Sequence, residues 1–123
     1  MNKIDGLHIL GDFSGCSFHL KDFSYIDDLK KVIKDNEMNV FGVIHKYFGE
    51  EGNSGYTLLI GLEESHISIH TFPEEVENHS VAIDIYTCSI SKDNGPGCQN
   101  IFKFLEKTFN PSTIILKKEV SRL

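Results

Sequence analysis

Glu63-Glu64-Ser65-His66-Ile67-Ser68-Ile69-His70-Thr71-Phe72-Pro73-Glu74 is the stretch that decides how this chain is read. Ile67 and Ile69 alternate with His66, Ser68 and His70, the period of two that sends successive side chains to opposite faces of a strand. One face is apolar and the other polar, so the segment is a strand that rests its isoleucines on a core. Two histidines on a solvated strand face need no further explanation. A zinc site is the other bland use of His66 and His70, but histidines four apart share a metal when they lie on a helix. The alternation specifies a strand, Glu does not follow His66, and no third ligand has a motif spacing. No metal is expected.

Working outward, Tyr56 to Leu62 forms a strand before this one, joined to a strand at Val40 to Phe48 by the turn-rich Gly49, Gly52, Asn53, Ser54 and Gly55. That pair reads as a hairpin. Further back, Tyr25, Ile26, Leu29, Val32 and Ile33 recur at helical spacing from about Asp22 to Asn36, and Leu7 to Phe13 alternates as a first strand ending near Gly15. Downstream lie a strand at Val81 to Cys88, a polar loop at Ser91 to Gly97, a helix at about Gln99 to Phe109 and a last strand at Thr113 to Leu116. The order predicts an α+β two-layer sandwich, a mainly antiparallel sheet with helices on one face. Two strand–helix groups hint at an internal duplication, though no residue-level repeat supports it.

The chain has 123 residues, the length of one ordinary domain, and 40% hydrophobic content with nine phenylalanines, enough for a core. A net charge of −6 without a basic stripe disfavours nucleic acid, whose binding relies on Lys and Arg at phosphates. Cys16, Cys88 and Cys98 make an odd count without a C-x-x-C pair, so reduced thiols in the cytoplasm are expected and not a disulfide framework. Asp5, His8, Asp12 and His19 interrupt every early apolar run, so neither a secretory leader nor a membrane span is expected.

Glu64 to Glu74 resembles the hallmark of the prokaryotic S-adenosylmethionine decarboxylase proenzymes, with Phe72 where that family has Trp. Gly6-Leu7-His8-Ile9-Leu10-Gly11-Asp12-Phe13, Gly55-Tyr56-Thr57 and Ala82-Ile83-Asp84-Ile85-Tyr86-Thr87-Cys88 are similar in the same order. The resemblance covers most of residues 6 to 88. Beyond Cys88 it fades, because Ser89 and a Gly-Pro-Gly loop replace the family's Gly and Pro-Trp, and the linkers at Gly49 to Ser54 and Glu75 to Ser80 are longer.

The resemblance implies a single domain over residues 1–123 that cuts itself between Glu64 and Ser65. The Ser65 hydroxyl attacks the Glu64 carbonyl, and elimination leaves a pyruvoyl group at position 65 as the self-generated cofactor. Thr57 and His70 occupy the positions that assist processing, and His70 with Ser65 and Cys88 makes the implied catalytic set. Cys88 matches the proton donor; an ordinary thiol, with a pKa of about 8.5, holds its proton at neutral pH. Glu74 matches the carboxylate that binds the ribose hydroxyls, and Tyr47 an aromatic beside the adenine. The implied activity is decarboxylation of S-adenosylmethionine, supplying the aminopropyl donor for polyamine synthesis, by a homodimer acting on a small molecule. Phe72 and the longer linkers keep open ornithine or arginine as substrate on the same scaffold, or a catalytically dead regulatory paralogue.

Overall fold

The computed structural model describes residues 5–73, 79–90 and 92–122. Its strands are β1 (Asp5–Ser14), β2 (Val40–Tyr47), β3 (Tyr56–Leu62), β4 (Ser65–Phe72), β5 (Ser80–Ser89) and β6 (Thr113–Arg122), and its helices are α1 (Ile26–Asp35) and α2 (Gly95–Phe109). All six strands form one sheet in the order β2-β3-β4-β5-β1-β6, and every neighbouring pair is antiparallel.

Alternation places Ile9 and Phe13 of β1, Leu58 and Ile60 of β3, Ile67 and Ile69 of β4, and Ile83 and Ile85 of β5 on one face, all buried. Leu29 and Ile33 of α1 and Ile101, Phe102, Leu105 and Phe109 of α2 complete the same core. Close packing of α2 depends on Gly11, since a Cβ there would meet the Phe102 ring at 2.6 Å. Beneath α1, the Tyr25 and Tyr56 hydroxyls bond each other at 2.8 Å, and Tyr56 donates to the His19 carbonyl at 2.9 Å. Burial pushes both phenols well above their usual range. The helices therefore cover one face, and the other remains open.

The expected α+β sandwich is observed, with three boundaries moved by four residues or more. α1 starts at Ile26 and not Asp22, because the Asp22 carboxylate accepts from the Ser24 N–H at 3.1 Å and the Ser24 hydroxyl at 2.8 Å, closing a turn. α2 starts at Gly95, four residues before the expected Gln99. Pro96 sits in its first turn, where the missing N–H has no helical partner to lose. β6 runs on to Arg122, past Leu116, because an edge strand tolerates Lys117, Lys118 and Glu119 in the ladder.

Candidate active site

Glu63 and Glu64 form the two-residue connection between β3 and β4, with Leu62 opposite Ser65. Two-residue hairpins favour positive φ within the turn. Neither glutamate adopts it; Ser65, the residue after the turn, does, at φ 144°. That region is close to glycine-only and costs a serine about 1–3 kcal/mol. Strain is thus held at Ser65, the residue that the resemblance implies becomes the new chain end.

The turn is also held from both sides. Asn39, just before β2, donates its N–H and side-chain amide to the Glu64 carboxylate at 2.9 and 3.1 Å, and its carbonyl accepts the Glu63 N–H at 2.9 Å. From β5, the Cys88 N–H donates to the Glu64 carbonyl at 2.8 Å. A backbone donor on a carbonyl is an arrangement able to stabilise an oxyanion developing there. Cys88 is half-buried and faces the open side with Asp84 and Tyr86, as the alternation of β5 requires.

Thr57 and His70 are cross-strand partners on β3 and β4, joined by a 2.9 Å contact between Thr57 Oγ1 and His70 Nδ1. The pair anticipated from sequence is therefore in contact. His70 is five residue steps along extended β4 from Ser65, however, a distance of about 17 Å at the usual rise. No hydrogen bond spans that gap within one chain. The same geometry keeps His66 and His70 about 13 Å apart along the strand, too far to share a metal ion.

Tyr47 lies on the helix-covered side, its ring stacked on Phe23 at 5.8 Å and paired in register with Tyr56. The open side near the far end of β4 instead carries Phe48 and Phe72, stacked at 6.3 Å with 22° between planes. The β2 alternation, which turns residue 48 away from residue 47, is the sequence signal that puts Phe48 on this side. Glu74 lies outside the described residues.

Residues 7–122 match the S-adenosylmethionine decarboxylase family. The chain belongs to that family. The match continues past Cys88 to residue 122, so the divergent Gly-Pro-Gly region is part of the shared fold and not the end of the likeness. The chain is 36% identical over 118 residues to the S-adenosylmethionine decarboxylase proenzyme of Sulfurihydrogenibium sp. (strain YO3AOP1), covering 93% of this chain and 80% of that protein. It is 33% identical to the proenzyme of Persephonella marina, over 100% of this chain and 94% of the relative. Its fold is similar to the crystal structure of the adenosylmethionine decarboxylase from Aquifex aeolicus, with a TM-score of 0.78 and 27% identity over 98% of this chain and 92% of that one. Among the described residues, no helix is long and apolar enough to cross a membrane.

Proposed function

We propose that this chain decarboxylates S-adenosylmethionine after cutting itself between Glu64 and Ser65, and that each active site is assembled from two copies. Family membership carries the activity and favours it over ornithine or arginine. The observation that carries the cleavage is the strained Ser65 beside a Glu64 carbonyl already accepting the Cys88 N–H. Attack of Ser65 Oγ on that carbonyl relieves the strain, and the Cys88 N–H steadies the oxygen as charge builds on it. The ester then eliminates, leaving Glu64 as a free carboxylate and position 65 as a dehydroalanine, which tautomerises to an imine; one water releases its nitrogen as ammonia and leaves the pyruvoyl end.

Once formed, the pyruvoyl group supplies the electron sink for loss of carbon dioxide. Cys88 holds the proton destined for the substrate carbon, and Glu74 takes the two ribose hydroxyls. Phe48 and Phe72, side by side on the open face, support an aromatic contact to the adenine better than Tyr47 does.

Two features support a homodimer joined through the open faces. Phe41 and Ile44, each 70% exposed, and Leu59, 42% exposed, form an apolar surface with no helix over it, the kind of patch that a soluble protein covers. The gap of about 17 Å between Ser65 and His70 also leaves the site incomplete in one chain. Turning a second sheet over the first brings the partner's far end of β4 to the scissile turn. Free Cys16, Cys88 and Cys98 support a reducing, cytoplasmic setting. The test is release of labelled carbon dioxide from carboxyl-labelled S-adenosylmethionine, ornithine and arginine at equal concentration. Release from S-adenosylmethionine alone is expected; release from a basic amino acid and none from S-adenosylmethionine refutes the substrate assignment.

A further inference from the structure

Next to the scissile turn stands a side chain for which the mechanism above has no use. Arg122 of β6, Gly6 of β1 and Cys88 of β5 lie opposite one another across the sheet. In the adjoining row His8, Tyr86 and His66 do the same on β1, β5 and β4. Tyr86 leaves its own row and leans along the strand over Gly6. A Cβ at position 6 would lie 2.8 Å from Tyr86 Cε1 and 3.0 Å from the hydroxyl oxygen. The hydroxyl thus fills the place of a side chain directly across from Cys88, and opposed Cβ atoms in such pairs stand about 4.5–5.5 Å apart.

The ring is clamped there. Its centroid is 5.7 Å from that of His8 and 6.0 Å from that of His66, and the Arg122 guanidinium covers it at 4.4 Å. Asp84 fixes both imidazoles, bonding His8 Nε2 and standing 3.6 Å from His66 Nε2 through the same oxygen. Packing alone asks only for the ring, and a phenylalanine supplies one. What the phenolic oxygen adds is a donor and acceptor over Gly6, the cross-strand partner of Cys88.

We propose that Tyr86 is a positioning residue for Cys88: seated over Gly6, its hydroxyl fixes the direction from which the thiol delivers its proton to the substrate carbon. The inference rests on the Cys88 role argued above. In the transfer the S–H bond breaks and a C–H bond forms, leaving a thiolate to which the Tyr86 hydroxyl donates. A proton delivered to the wrong carbon leaves the substrate's nitrogen on the protein as an alanyl terminus and, with one water, frees the remainder as an aldehyde. Each such event ends one site, so turnovers per inactivation report on orientation and not on stability.

Two variants separate the hydroxyl from the ring. Tyr86→Phe removes only the oxygen, and Gly6→Ala keeps the oxygen but crowds its seat, its Cβ also meeting the Thr87 carbonyl at 2.9 Å. In the self-cleaving protein, both should lower turnovers per inactivation roughly tenfold, the scale of one lost hydrogen bond. Wild-type turnovers per inactivation in Tyr86→Phe overturn the proposal. Wild-type turnovers per inactivation in Cys88→Ala overturn the Cys88 role itself, which is a different failure.

Discussion

Co-expression of Ser65→Ala with His70→Ala distinguishes a site within one chain from a site shared by two. Each variant alone lacks one half of the machinery in every site and should remain uncleaved. In the structure, Ser65 and His70 sit at positions about 17 Å apart on one strand, whereas the attack needs them within hydrogen-bond reach of about 3 Å. If the partner supplies His70, a mixed dimer has one site with both residues intact and one with neither. Random two-fold pairing at equal expression makes about half the dimers mixed, so roughly a quarter of all sites should cleave and turn over. Differently tagged chains, purified by both tags in sequence, raise that to about half. The assay is the fraction of Ser65-bearing chain cut on a denaturing gel, followed by labelled carbon dioxide release. No cleavage in the doubly purified mixed dimer refutes the shared site, and full cleavage by His70→Ala alone refutes the role of His70.

Three further outcomes follow from individual residues. Cys88→Ala should still cleave, because its N–H and not its thiol meets Glu64, yet lose most decarboxylation by end-point assay. Glu74→Gln should raise KM and lower kcat/KM by roughly 1–3 kcal/mol of transition-state binding, the scale of a lost charge-assisted hydrogen bond. Burial pushes the Cys98 thiol up to about 11 from 9.0, so the unfolded chain gives up that proton first. Stability from this group is intact below about pH 9 and lost as the pH rises toward about 11. Thermal melts across that window should fall less steeply for Cys98→Ala than for the wild type.

Much of the fold was legible because one face of nearly every strand is buried. Ile67 and Ile69, Ile83 and Ile85, and Leu58 and Ile60 report the covered side directly, and the stripe on α1 reports what covers it. Boundaries set by single hydrogen bonds were not legible. The Asp22–Ser24 turn removes a turn of helix from a pattern that is otherwise helical, and Gly95-Pro96-Gly97 reads as a loop until Pro96 is seen in the first turn. At the site, the Thr57–His70 contact and the shared side of Asp84, Tyr86 and Cys88 followed from strand register. The strain at Ser65 did not, since nothing in Glu-Glu-Ser says which residue of the turn takes the positive φ. The separation of His70 from Ser65, by contrast, follows from the strand alone, since five residue steps of strand span about 17 Å. The face that Tyr47 and Phe48 each take is not carried by a linear match.

Intact-mass spectrometry of the purified wild-type protein tests the central claim most directly. The account predicts two fragments, residues 1–64 ending in a free carboxylate and residues 65–123 lighter by one ammonia than a chain starting with serine. The second fragment should resist Edman degradation, and Ser65→Ala should give a single full-length mass. A wild-type chain that remains whole after prolonged incubation, or a second fragment with an ordinary serine amine, contradicts the pyruvoyl assignment.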